Sequence, residues 1–251
     1  MTSPESALAD VTLIIPTKNE ATSIGDVLES AMSRASETIV VDGHSTDRTI
    51  EIARAAGARV ILDSGRGKGN GLRAAIGEAS HDIIVFMDAD GSHDPNDIPR
   101  LVTHLKEHDL DLVIGSRIKG GSDEWSGSFG RFVRMMGSHA VLIAINYRWG
   151  IRLTDCQNGF RAIRTSVARS IGLRENGFAI EQEMVMRTAI HGFRIGEIGC
   201  HEFERKSGSS KLNLLSVWPD ILRTFLVLSL TRNRSESLPE QHENNDNTRF
   251  Q

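Results

Sequence analysis

The chain of 251 residues is 39% hydrophobic and 25% charged with a formal net charge of −4. That is enough apolar content to close a sizeable core, and too acidic a balance for a general nucleic-acid binder. Its two cysteines, Cys156 and Cys200, lie far apart without a CxxC pairing, which argues against a disulfide framework or a cysteine zinc site and fits a reducing cytosol. Met1 to Asp10 lacks the basic-then-apolar pattern of a secretory signal, and no uninterrupted apolar run reaches the ~18 residues of a membrane span. The expectation is a cytoplasmic protein, soluble or peripheral at the cytoplasmic face of the membrane.

Val11 to Ile15 reads as a short apolar strand stopped by Pro16, after which Thr22 and Ser23 offer an N-cap for an amphipathic helix to about Arg34. The unit repeats: Thr38 to Val41 is a strand, Asp42 to Thr46 a turn, and Asp47 caps a helix to Ala56 that Gly57 ends. Arg59 to Leu62 forms a third strand, followed by the glycine-rich loop Gly65-Arg66-Gly67-Lys68-Gly69-Asn70-Gly71 and a helix to about Ala79. Ile83 to Met87 is a fourth strand, Pro95 to about His108 a helix, and Leu112 to Ile114 a fifth strand. Such alternation predicts an α/β fold: one domain with a Rossmann-like, mostly parallel sheet and helices on both faces. Further on, Arg117 to Gly130 reads as a mobile loop rich in Gly and Ser. Arg131 to Tyr147, Thr165 to Ile171 and Ile180 to His191 read as helices, and Arg194 to Ile198 as a late strand. The expected division is an N-terminal extension at 1–10, the main domain at 11–212, an amphipathic helix at 213–232, and a disordered tail at 233–251, where Asn, Glu, Gln and Ser dominate.

Asp88-Ala89-Asp90 follows the fourth strand directly and sets two carboxylates two residues apart at a strand's carboxyl end, where open parallel sheets place their ligands. Either acid alone is a common turn or capping residue. As a pair they offer hard oxygen ligands for Mg2+ or Mn2+, ions that take one or two protein carboxylates and complete their shell with water and substrate phosphates. Three other loops reach the same sheet edge: Pro16 to Glu20, Asp42 to Asp47, and Gly65 to Gly71. By themselves Asp42 reads as a turn aspartate and Glu20 as a first-turn helix acid, but four distant loops on one edge suit a nucleotide. The glycine segment satisfies neither G-x-x-x-x-G-K-[ST], since Gly69 follows Lys68, nor G-x-G-x-x-G after the first strand, which disfavours a nucleoside triphosphatase and a dinucleotide oxidoreductase. Its glycines leave room for close approach of a diphosphate, with Lys68 serving that diphosphate, ordering the loop, or standing as a plain surface lysine.

In chain order, Pro16-Thr17-Lys18-Asn19-Glu20, Val41-Asp42-Gly43 with Ser45-Thr46-Asp47, Gly67-Lys68-Gly69, Asp88-Ala89-Asp90, Gly115-Ser116-Arg117, Asn158-Gly159-Phe160-Arg161 and Arg205 through Ser210-Lys211-Leu212 resemble a family 2 glycosyltransferase. Within that family the resemblance is to dolichol-phosphate mannosyltransferases and related polyprenyl-phosphate sugar transferases, and it spans about Val11 to Leu212. It implies the A-type glycosyltransferase fold and carries roles with it. Pro16, Lys18, Glu20, Asp42, Lys68, Asp88, Ala89 and Asp90 would bind the nucleotide-sugar, with Asp88 and Asp90 holding the metal. Arg117, Arg134 and Ser138 would take the acceptor phosphate. Asp90, Arg117, Arg205 and Lys211 would form the catalytic set, Arg205 and Lys211 on a mobile loop that closes over the phosphates. One departure is Ser92, where the family commonly has Gln, which leaves any further metal ligand there open.

A lipid phosphate is already anionic and needs only cationic positioning, whereas a sugar hydroxyl needs a general base. The excess of Arg117, Arg134, Arg205 and Lys211 suits the first case; Glu181 and Glu183 are candidate bases for the second, with a solvated helix face expected for at least one of them. The expectation is therefore metal-dependent, inverting transfer of one sugar to a dolichyl or polyprenyl phosphate, from GDP-mannose or from UDP-glucose or a UDP-N-acetylhexosamine. Transfer to a saccharide or small-molecule hydroxyl is the alternative, and a non-catalytic nucleotide-sugar-binding protein a third. Leu214 to Leu230 carries a polar stripe of Ser216, Asp220, Arg223 and Thr224 on a broad apolar helix. It suits a membrane interface, the core, or a second subunit of a homo-oligomer.

Overall fold

The computed structural model describes residues 8–123, 129–205 and 214–231, with side chains placed for all of these except 129–136, 138 and 214–216. The first half alternates β1 (Val11–Thr17), α1 (Ile24–Ala31), β2 (Glu37–Asp42), α2 (Thr49–Ala55), β3 (Arg59–Leu62), α3 (Lys68–Glu78), β4 (Ile83–Phe86), α4 (Asp97–Glu107) and β5 (Leu112–Ser116). Then follow α5 (Arg117–Gly120), α6 (Phe129–Trp149), β6 (Arg161–Arg164), α7 (Thr165–Ser170), α8 (Ile180–Ile190), β7 (Ile195–Gly199) and α9 (Leu214–Ser229).

The strands form one sheet in the order β3-β2-β1-β4-β6-β5-β7. All neighbours pair in parallel except β6, which runs antiparallel between β4 and β5. Successive side chains on β1 point to opposite faces, so Leu13 and Ile15 join one core with Leu28 and Leu101, while Ile14 joins the other with Leu72 and Met184. Burial on both faces is why β1, β2 and β4 read as unbroken apolar runs. The chain reaches β2 and then β4 on opposite sides of β1, so the crevice between β1 and β4 at their carboxyl ends is the topological switch point.

Several boundaries differ from the sequence reading. Pro16 does not stop β1: the strand continues to Thr17, because Pro16 lies beyond the last β1–β4 pair, Ile14 with Phe86, where a residue without an N–H is tolerated. The segment 65–71 is not all loop, since α3 begins at Lys68. The expected mobile loop from Arg117 begins instead as α5, whose first turn is capped by Ser116 Oγ accepting the Lys119 N–H at 3.2 Å. α6 starts at Phe129. Strand β6 has no counterpart in the sequence reading, because arginines at both of its ends break the apolar run. The proposed tail at 233–251 lies outside the described residues.

Helix α9 packs on the core. Gln182 Nε2 on α8 donates to the Ile221 carbonyl at 3.1 Å, Arg148 Nε on α6 donates to that of Ser229 at 3.2 Å, and Ile221 and Leu228 are buried. Its opposite side leaves Leu222, Leu226, Val227 and Leu230 exposed, as are Ile143 and Tyr147 on α6. Among the described residues no helix is long and apolar enough to cross a membrane.

Candidate active site

Asp88 and Asp90 leave β4 at the switch point. A cleft opens there, lined by Pro16 from β1, Lys68 and Leu72 from α3, Phe86 and Asp88, Gly159 and Arg161, and Glu181 and Met184 from α8. Lys68 Nζ sits 2.7 Å from Asp88 Oδ1 and 2.8 Å from Glu181 Oε1. Burial opposes charge on both partners, lowering the Lys68 pKa and raising that of Asp88, but their mutual attraction, with Glu181 added on the lysine side, wins. Lys68 is therefore held above the usual lysine range, and Asp88 well below the usual carboxylate range. Asp90 is also nearly enclosed: Oδ1 accepts the Ser92 N–H at 3.1 Å and the Ser92 hydroxyl at 2.7 Å, and Oδ2 lies 3.3 Å from Arg205 Nη1. Ser92 thus orients Asp90 from the position at which this chain departs from the Gln common in the family it resembles.

Behind this pair stands a scaffold that sequence reasoning only partly named. The Asp88 backbone N–H donates to His93 Nδ1 at 3.3 Å, which puts the ring proton on Nε2, facing Asn158 Oδ1 at 3.0 Å. The His93 ring stacks on Phe160 with centroids 4.9 Å apart. At Gly159 a Cβ would lie 2.6 Å from Asp88 Oδ2, so only glycine leaves that carboxylate its place. Arg161, 1% exposed, donates to the carbonyls of Asn158, Cys156 and Glu181 and ties this loop to α8. Arg117 is likewise committed: Nε and Nη2 grip Asp155 at 2.6 and 3.1 Å, and Nη1 lies 3.4 Å from Glu202. Asp155 in turn accepts the Gln157 and Asn158 N–H groups, so Arg117 anchors the loop that carries Asn158 and Gly159. Burial works against the Arg117 charge, but these two acids outweigh it and raise its pKa further.

The loops after β1 and β2 are knitted together. Asp42 accepts from Thr17 Oγ1 at 3.0 Å, Ser45 N–H at 2.7 Å and Ser45 Oγ at 2.6 Å. Asn19, at φ 56°, accepts the Thr46 N–H, while the Glu20 N–H donates to Thr49 Oγ1 and the Ala21 N–H to Asp47. Lys18 and Glu20 lie on this rim, and Ala89 is buried between the two acids. The glycine segment does not offer its backbone to the cleft as the sequence suggests. Gly67 and Gly69 are pressed against 175–177, where the Gly69 N–H donates to the Asn176 carbonyl at 2.7 Å and a Cβ on Gly67 would lie 2.7 Å from that oxygen. Nor do Glu181 and Glu183 line a solvated face; both are buried. Glu183 accepts the Arg174 and Glu175 N–H groups and the Arg187 guanidinium, leaving Glu181 alone to face Lys68. Arg134 and Ser138 lie four residues apart on α6, their side chains outside the described set, and Lys211 falls outside the described residues.

No group of three or more His, Cys, Asp or Glu side chains converges as a ready-made metal cage among the described residues. The carboxylates of Asp88 and Asp90, which face Lys68 and Arg205, are hard oxygen donors of the kind that Mg2+ takes one or two at a time beside water and substrate phosphates.

Residues 12–172 match the family model described as glycosyl transferase family 2. The chain belongs to that family. It is 36% identical over 219 residues to an undecaprenyl-phosphate mannosyltransferase of Micrococcus luteus, covering 81% of this chain and 87% of that one. It is 29% identical over 212 residues to a dolichyl-phosphate hexose transferase of Haloferax volcanii, covering 83% and 89%. Among solved structures, glucosyl-3-phosphoglycerate synthase from Mycobacterium tuberculosis, in complex with Mn2+, UDP and glucosyl-3-phosphoglycerate, superposes with a TM-score of 0.71 at 23% identity, over 90% of this chain and 82% of that one. The glycosyltransferase thus has the α/β fold of that neighbour.

Proposed function

We propose that this glycosyltransferase moves one sugar from a nucleotide-sugar to a polyprenyl or dolichyl phosphate, with inversion at the anomeric carbon. The observation that carries the choice of acceptor is the commitment of both candidate bases. Glu183 spends its oxygens on two backbone amides and Arg187, and Glu181 is paired with Lys68. A hydroxyl acceptor would need one of them free to take its proton; a phosphate monoester is already ionised. The names of the two relatives support the same class of acceptor.

Pro16, Lys18, Glu20 and Asp42 shape the rim for the nucleoside, and Asp88 and Asp90 would hold Mg2+ or Mn2+ with the diphosphate. When bound, the ion would stabilise the charge that develops on the departing nucleoside diphosphate. Lys68 and Arg205 add positive charge against the same group, and Arg134, Ser138 and Lys211 are assigned to the acceptor and the closing segment. Arg117 acts on the acceptor side by holding Asp155 and its loop in place. An acceptor phosphate oxygen attacks the anomeric carbon, the carbon–oxygen bond to the diphosphate breaks, and its electron pair leaves with the nucleoside diphosphate. The exposed apolar side chains of α6 and α9 would rest on the leaflet that carries the acceptor.

Incubating the enzyme with Mn2+, each donor, and either polyprenyl phosphate or soluble sugars tests the proposal. Glycosyl-lipid product is expected, with calorimetry of GDP-mannose against UDP-glucose and UDP-N-acetylglucosamine identifying the donor. Transfer only to hydroxyl acceptors would establish the alternative, and no transfer with any acceptor would leave a binding protein. A second expectation concerns Gly159→Ala. The added methyl must displace the Asp88 carboxylate, so kcat/KM is expected to fall at least about tenfold, since small misplacements of reacting groups are costly. Unaltered kcat/KM would show that the position of Asp88 is unimportant.

A further inference from the structure

Lys68 occupies the same carboxylate that the proposed metal requires. Its ammonium, on a side chain only 16% exposed, bridges Asp88 Oδ1 at 2.7 Å and Glu181 Oε1 at 2.8 Å. Its backbone cannot drift away, because the adjoining Gly69 N–H is tied to the Asn176 carbonyl. Glu181 is equally fixed, with its own carbonyl accepting from the buried Arg161 guanidinium at 2.8 Å. A lysine ammonium and a divalent cation are like charges, and they cannot both sit against one carboxylate oxygen without a compensating anion. A nucleoside diphosphate is such an anion. It offers oxygens both to the metal and to Lys68, and Glu181 keeps the ammonium at the cleft while it changes partner.

We propose that Lys68, positioned by Glu181, is the resident counter-ion of Asp88, and that it makes divalent-metal binding depend on the nucleoside diphosphate arriving with the metal. The inference rests on the metal reading above. It goes beyond that reading by assigning the order of assembly to two named side chains, and Glu181 becomes a positioning residue rather than a base.

The test is the affinity of the full chain for Mn2+, measured by calorimetry or by the electron paramagnetic resonance of free Mn2+, without nucleotide and with saturating GDP or UDP. Wild-type enzyme is expected to bind Mn2+ weakly alone and at least about tenfold more tightly with nucleotide, within the usual range of coupling between sites. The double variant Lys68→Met with Glu181→Gln removes one positive and one negative charge, leaving the local net charge unaltered. It is expected to bind Mn2+ about tenfold more tightly than wild type without nucleotide, with the nucleotide enhancement reduced by the same factor. A general charge effect predicts no change in this variant, so equal nucleotide-free affinity would overturn the proposal. Wild-type enzyme alone also decides the matter should the variant fold poorly: Mn2+ affinity indifferent to nucleotide would overturn it. If Mn2+ binds under none of these conditions, the metal reading falls as well; if it binds but without these differences, only the counter-ion role falls.

Discussion

Replacing Asp90 by Asn is expected to lower the turnover of sugar transfer at least about a hundredfold, near 2.7 kcal/mol of lost transition-state stabilisation. The substitution keeps size and shape. The Asn carbonyl can still accept both hydrogen bonds that Ser92 gives to Asp90 Oδ1, so the turn after β4 is retained. What changes is the second oxygen, now 3.3 Å from Arg205, which becomes an uncharged amide that neither pairs with the guanidinium nor ligates a cation. Melting curves are therefore expected to match those of wild type while kcat collapses at saturating donor and metal. Undiminished turnover would reject Asp90 as a ligand. A parallel fall in melting temperature would turn the loss into one of folding.

Arg161→Met should be costly in a different way. The guanidinium is fully buried, and burial pulls its pKa down. It survives there because it donates to three backbone carbonyls, on Cys156, Asn158 and Glu181. Methionine fills much of the volume but leaves the Cys156 and Asn158 oxygens without these donors, at about 1–3 kcal/mol each, whereas the Glu181 carbonyl lies within α8 and loses only its second donor. The expected loss of unfolding free energy is about 3 kcal/mol, or about 6–12 °C in melting temperature for a domain of this size. Urea denaturation would measure it, and a midpoint equal to that of wild type would show that the loop is held by other contacts. Because the same loop carries Gly159, kcat/KM is expected to fall even below the melting transition.

Much of this molecule was legible in its sequence, for physical reasons that also mark where legibility ended. Strands β1, β2 and β4 are covered on both faces, so they appear as continuous runs of Val and Ile, and Asp88, just past the end of β4, had to fall at the sheet edge. Strand β6 escaped because a buried arginine at its start is paid for by carbonyls that no spacing reveals. Glycine at 67 and 69 permits close approach, and what approaches there is the backbone at Glu175 and Asn176, remote in sequence. The sequence assigns Arg117 to the acceptor phosphate, and no local spacing reveals its partners Asp155 and Glu202, which come from separate loops. Likewise a helical period cannot tell a solvated glutamate from one buried against amides contributed by another segment, and that difference separates Glu183 from the surface residue it resembles in sequence.

The assay that bears most directly on the central claim is transfer from the preferred nucleotide-sugar to polyprenyl phosphate by enzyme stripped with a chelator and then titrated with Mn2+ or Mg2+. The paired carboxylates of Asp88 and Asp90 predict negligible transfer in chelator and full recovery on adding back the ion. Transfer at the full rate in excess chelator would contradict the account.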